Sequence, residues 1–118
     1  MPALVEPTAV ILDCADPAAL AEFYRNATGW ELTYSDETTA YLGNGGAVQL
    51  AFQRIENYQP AEWPAAGQQG HVDFKVADID TATKDLVELG ASVPDVQPGG
   101  DQWRVLADPA GHVFCIAA

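Results

Sequence analysis

Positive charge is what this sequence has least of: five lysines and arginines face seventeen aspartates and glutamates in 118 residues, a formal net charge of −12. Nucleic-acid binding depends on clustered basic side chains that displace counterions from phosphates, and Arg25, Arg54, Lys75, Lys84 and Arg104 are scattered. Nucleic acid and anionic membrane are therefore not expected partners, and the acidity serves solubility or draws in a cationic ligand. Long apolar runs are also missing. Ala9-Val10-Ile11-Leu12 is too short to span a bilayer and no basic leader with an apolar core precedes it, so neither anchor nor export is expected. Cysteine is limited to Cys14 and Cys115, which strand alternation points to opposite sheet faces. A disulfide between them is not expected, and reduced thiols suit a cytoplasmic protein. The length allows one domain with a real core, not a catalytic domain beside a separate binding domain.

What is present is a pattern that occurs twice. Ala9 to Cys14 is a short β-prone run ended by Asp16-Pro17, where Asp16 suits a helix cap and Pro17 the first helical position. Leu20, Phe23, Tyr24 and Ala27 follow at helical spacing, and Gly29 is a left-handed stop. Trp30 to Tyr34, Thr39 to Leu42 and Ala47 to Phe52 read as strands, the last two joined by an Asn44-Gly45-Gly46 hairpin. Residues 54–69 have no period and carry two prolines, which marks a connecting loop.

The order then repeats, with a strand at His71 to Val76 and a helix capped by Asp78 or Asp80. That helix has Ile79, Ala82, Leu86 and Leu89 on its apolar face and Gly90 at its end. Ala91 to Val96, Gln102 to Ala107 and His112 to Ala117 complete the second set, with a type I turn at Asp108-Pro109-Ala110-Gly111. One such unit buries too little to stand alone. The expectation is an α+β fold of two βαβββ modules, about 8–53 and 70–118. They would form one curved eight-stranded mixed sheet with two main helices on its convex side and a cup on the other.

Strand alternation then sorts the side chains. Val10, Leu12, Cys14, Val48, Leu50, Phe52, Val72, Phe74, Val76, Phe114 and Ile116 are assigned to the core. Facing the cup are Ala9, Ile11 and Asp13 in the first strand, and Gln49, Ala51 and Gln53 in the fourth. His71, Asp73 and Lys75 face it in the fifth, and Val113, Cys115 and Ala117 in the eighth. The row His71, Asp73, Lys75 is either a solvated face or a tuned acid, base or ligand group. Trp63, flanked by proline in the long loop, is either a lid over the cup or a contact with a partner subunit, and Trp103 lies on the predicted seventh strand. His112 adjoins the Pro109 turn and is assigned to it.

These residues resemble a known group. Leu12-Asp13-Cys14-Ala15-Asp16-Pro17, Glu22-Phe23-Tyr24, Gly29-Trp30-Glu31-Leu32, the run Gly70 to Asp80, and Asp108-Pro109-Ala110-Gly111-His112-Val113-Phe114-Cys115-Ile116 are similar to the vicinal oxygen chelate superfamily. That superfamily holds the glyoxalases, bleomycin-resistance proteins and ring-cleaving dioxygenases, and the similarity is greatest to small glyoxalase-like domains. The resemblance implies paired βαβββ modules, a homodimer, and in enzyme members a divalent metal held by one residue from each of the first, fourth, fifth and eighth strands. Those positions fall here on Ala9, Gln49, His71 and Cys115. Ala9 has no donor, Gln49 is a weak neutral one, and Cys115 puts a thiol where a carboxylate is customary.

The expected function is therefore metal-free binding or sequestration of a small cationic or aromatic compound. Asp13, Gln49, Gln53, His71, Asp73, Lys75, Trp63, Trp103 and Cys115 are its candidate contacts. The alternative is a glyoxalase-like lyase, isomerase or dioxygenase. It would use a divalent metal such as zinc on His71, Gln49 and Cys115, or acid/base chemistry by His71 with Asp73. Thiol chemistry by Cys115 beside His71 is a third possibility.

Overall fold

The computed structural model describes residues 3, 6–64 and 70–118. The chain divides into two compact units, Met1–Tyr58 and Gln59–Ala118. The first contains β1 (Ala9–Cys14), α1 (Pro17–Thr28), β2 (Glu31–Ser35), β3 (Thr39–Gly43) and β4 (Gln49–Arg54). The second contains β5 (Val72–Lys75), α2 (Ile79–Leu89), β6 (Arg104–Ala107) and β7 (Val113–Ala117). Of the predicted loop 54–69, residues 65–69 lie outside the described set.

Both helices begin and end as their sequences dictate. The Asp16 carboxylate accepts the backbone N–H of Ala19, and that of Asp78, not Asp80, accepts the N–H of Thr81. Gly29 closes α1 with φ +74°, a left-handed angle that a side chain disfavours. In the first unit α1 lies over β2, β3 and β4. It buries Leu20, Ala21, Phe23 and Tyr24 against Ala40, Leu42, Leu50 and Phe52, with the Tyr24 and Phe52 rings stacked 5.3 Å apart. Burying each of the leucine and phenylalanine side chains among them contributes about 1.5–3 kcal/mol.

The first sheet has the order β1-β4-β3-β2, with β1 parallel to β4 and the other pairs antiparallel. The second has the order β5-β7-β6, with β5 parallel to β7 and β6 antiparallel to β7. In each unit the first strand thus pairs in parallel with the last, which is the internal repeat in structural form. The second core gathers Val105, Leu106, Phe114 and Ile116, with Phe74 edge-on to Phe114 at 5.6 Å.

Four expectations are corrected. Among the described residues there are seven strands in two sheets of four and three, not one eight-stranded sheet. The predicted sixth strand, Ala91 to Val96, is reduced to a single bridge between Ser92 and Ala107. Its physical replacement is Gln97, whose side-chain amide donates to the Val105 carbonyl at 2.8 Å and accepts the Val105 N–H at 2.9 Å. One side chain does for Val105 what a neighbouring strand would do, and Pro94, which has no backbone donor, stands in the segment that would have supplied that strand. Second, β6 starts at Arg104, so Trp103 precedes the strand. Third, Val10 is 42% exposed instead of core, because β1 is an edge strand and α1 covers its neighbours. The second helix is likewise less covered than its apolar period predicts: none of its residues is buried, and Leu89 is exposed. A two-point tie from Arg104 to Asp80 (3.2 Å) and Thr83 (3.4 Å) holds it to β6.

The Gln97 bridge has a measurable weight. Gln97→Ala leaves both polar groups of Val105 unmatched, which costs about 1–3 kcal/mol. The midpoint of urea unfolding should fall accordingly, whereas Gln102→Ala, at an exposed position, should stay within about 0.5 kcal/mol of wild type.

Candidate functional site

The register of two strands assembles the site. In the parallel β5–β7 pair Asp73 stands opposite Cys115, and Val72, Phe74 and Ile116 turn to the other face. His71 precedes β5 and falls on the Asp73 face, two residues upstream. The outcome is a polar group on an otherwise apolar floor: His71 Nε2 lies 3.0 Å from Asp73 Oδ1, and donor atoms of His71, Asp73 and Cys115 all lie within 4.8 Å of one another. Both His71 and Asp73 are exposed and Cys115 is half-buried. Burial pushes the Cys115 thiol above its ordinary pKa, and the negative charge of Asp73 pushes it further in the same direction.

Above this group lies a cavity of about 560 Å³, within the range of small-molecule sites. Its walls are mostly aromatic and aliphatic, with Trp63 and Trp103 joining Val105, Val113 and Ala117 around His71, Asp73 and Cys115. Each indole is held by a separate device. Trp63 Nε1 donates to the Val96 carbonyl at 3.1 Å, which fixes a loop residue to the segment before β6. Trp103 packs so closely on the Gly99 backbone that a Cβ there would collide with its ring.

Five of the predicted contacts are therefore gathered in one place within the second unit: Trp63, His71, Asp73, Trp103 and Cys115. Lys75 is exposed on β5 opposite Ala117 and is not part of the cavity wall. Asp13, Gln49 and Gln53 belong to the first unit, where Asp13 pairs with Gln53 and Ala9 with Gln49 across β1 and β4. Gln49 faces a separate, shallower hollow of about 440 Å³ with Thr33, Tyr34 and Tyr41, and its Oε1 accepts the Thr33 hydroxyl at 2.6 Å. His112 is a turn residue, as its neighbours suggest. Its Nδ1 lies 2.8 Å from Oδ2 of the buried Asp108, whose Oδ1 accepts the N–H groups of Ala110 and His112.

Pro98, Gln102 and Val105, which line the cavity, and Gly99, which backs Trp103, were not foreseen. Pro98-Gly99-Gly100 reads only as a turn, and nothing in its composition announces that Trp103 will lie on it.

A βαβββ unit followed by a βαββ unit with the same parallel pairing of first and last strands fits the vicinal oxygen chelate architecture, and the comparisons agree. The glyoxalase-like domain family model matches residues 9–117, so the chain belongs to that family. Several solved structures share the fold. A possible glyoxalase from Bacillus cereus is 17% identical with a TM-score of 0.71, over 96% of this chain and 98% of the other. A glyoxalase/bleomycin resistance protein/dioxygenase family enzyme from Burkholderia phytofirmans PsJN is 22% identical with a TM-score of 0.69, over 92% and 94%. A lactoylglutathione lyase from Agrobacterium tumefaciens is 20% identical with a TM-score of 0.65, over 99% and 95%. No curated protein matches the chain.

The metal that the family implies can be tested against the side chains. Of the four expected positions, Ala9 ends in a methyl group and the Gln49 amide oxygen already accepts a hydrogen bond from Thr33. The four-strand donor set does not fit this chain.

The electrostatics of the site predict a thiol reactivity profile. With Cys14 replaced by serine, alkylation of Cys115 by iodoacetamide should be slow at neutral pH and rise with pH. Asp73→Asn removes the charge that holds the proton on sulfur, so the rate profile should move to lower pH. A profile unchanged by Asp73→Asn would contradict the pairing.

Proposed function

We propose that this chain binds a small, flat aromatic compound, cationic or neutral, in the cavity of its second unit, without the four-residue metal centre of its enzymatic relatives. The observation that carries this reading is the convergence of two separately anchored indoles on one pocket whose ionisable groups, among the described residues, are His71, Asp73 and Cys115. Indole faces supply contact area and attract cations, and Asp73 offers an acceptor to a protonated nitrogen. The net charge of −12 biases the surroundings toward cationic compounds.

A second reading is favoured by one distance. The 3.0 Å contact between His71 and Asp73 orients the imidazole in the manner of a general base, which suits a lyase or isomerase of the glyoxalase-like kind. Binding and turnover separate the two: His71→Ala should abolish turnover if the imidazole moves a proton, and should only weaken binding if the protein sequesters.

Isothermal titration of the reduced protein, in chelator, against a panel of aromatic amines tests the binding proposal. A ligand of about twenty non-hydrogen atoms at about 0.3 kcal/mol each gives roughly 6 kcal/mol, a Kd of tens of micromolar. Trp63→Ala should weaken such a ligand about tenfold, the loss of one aromatic contact of about 1.4 kcal/mol. Equal affinity in wild type and Trp63→Ala would overturn the assignment of the cavity.

A further inference from the structure

We propose that Gln97, which does not line the cavity of the second unit, is the residue that positions both of its aromatic walls. It clamps residues 96–99 to β6, and that short segment carries the supports of Trp63 and Trp103 together. The consequence for ligand affinity rests on the binding reading; the placement of the two indoles does not.

Consecutive residues of this segment do connected work. The Val96 carbonyl accepts the Trp63 indole N–H at 3.1 Å. The Gln97 amide nitrogen donates to the carbonyls of Pro94 at 2.9 Å and Val105 at 2.8 Å, and its oxygen accepts the Val105 N–H at 2.9 Å. Pro98 lines the cavity. Gly99 lies under the Trp103 ring, where a Cβ would collide with both the ring and the Trp103 carbonyl oxygen. Gly100 has a left-handed φ of +59° and Gly99 does not, so Gly99 is required by the indole and not by its backbone angle. The two indole supports are separate contacts, but they stand on either side of the same clamp.

The clamp also joins the walls to the floor. Asp73 is the Cα partner of Cys115, and Cys115 is the partner of Val105, so one row crosses β5, β7 and β6 on the cavity face. Gln97 extends that row through its side chain, where a further strand would have extended it through backbone. The backbone tie between this stretch and β6 lies earlier, at Ser92 and Ala107. Beyond it, among the described residues, the Gln97 amide is the hydrogen-bonded link from the segment to β6. Pro94 and Pro98 flank the clamp with restricted φ angles, which limits how the segment can bend and favours its movement as one piece. Without the clamp, Val96 and Gly99 lose their common reference to the floor, and both indoles shift while Asp73 and Cys115 keep their strand register.

Two variants test this. Gln97→Met keeps the length of the side chain and removes all three hydrogen bonds. Gln97→Asn keeps the amide but shortens the tether, so the segment either follows it inward or loses it. NMR of the ligand-free, isotope-labelled chain reads the indole N–H signals of Trp63 and Trp103, with Trp30 of the first unit as the internal control. Spectra are taken in sucrose, which strengthens burial and offsets the lost bonds. We expect the Trp63 and Trp103 signals to move together and Trp30 to stay. Gln97→Asn decides the matter where Gln97→Met disturbs Trp30 as well. Both signals unmoved, or one moved without the other, would overturn the proposal. Proflavine, a flat aromatic cation, should bind Gln97→Met about tenfold more weakly than wild type, a loss equal to one aromatic contact. Unchanged affinity with both indoles displaced would overturn the positioning role. A wild-type chain that binds no proflavine counts against the binding reading alone, because the indole signals are read without ligand.

Discussion

The parallel pairing of β5 with β7 is the constraint on which the site depends. Its register puts Asp73 opposite Cys115 and, by the two-residue period of a strand, His71 on the same face, while Phe114 and Ile116 go to the core and the half-buried Phe74 packs against Phe114. A slip of one residue would turn the polar group into the core and bring the aromatic side chains out. The apolar packing of the second unit therefore specifies the site as a by-product of specifying the fold. Phe74 against Phe114 is the contact that most directly opposes such a slip, because both rings lose their partner together.

The first unit shows how the same frame diverges. Its β1–β4 pair is parallel in the same way, but the corresponding face carries Ala9 opposite Gln49, and Gln49 is engaged with Thr33. One copy of the repeat has thus kept ionisable groups beside a cavity, and the other has a methyl group and an occupied amide at the equivalent strands. Most of each core, Leu50 and Phe52 in the first unit and Leu106, Phe114 and Ile116 in the second, is built from the alternate residues, which leaves the polar positions of the other face free to change. Membership of the glyoxalase-like family and departure from its usual donor set are compatible for this reason.

Much of this was legible in the residues, and the failures have physical causes. Periodicity and punctuation located both helices, the Asp16 cap and seven of the eight expected strands, and narrowed the second cap to Asp78 or Asp80, because Asp16, Asp78, Gly29 and Gly90 act through bonds made within a few residues. Alternation also put Val113, Cys115 and Ala117 on one face, and that is the cavity face. The sixth strand failed because Val105 is satisfied by a side chain eight residues away, which no propensity scale anticipates. Val10 failed because edge position is a property of sheet order, and sheet order is not local. The anchoring of Trp63 by Val96, across 33 residues, and of Trp103 by Gly99 was invisible for the same reason.

The central claim is that the working face of this protein lies on the second unit, over the β5–β7 pair. Heteronuclear NMR of the labelled, reduced chain during addition of an aromatic amine tests it most directly. The claim predicts shifts at the indole N–H groups of Trp63 and Trp103 and at the amides of His71, Asp73 and Cys115. Shifts confined to Thr33, Tyr34, Tyr41 and Gln49 of the first unit would contradict it.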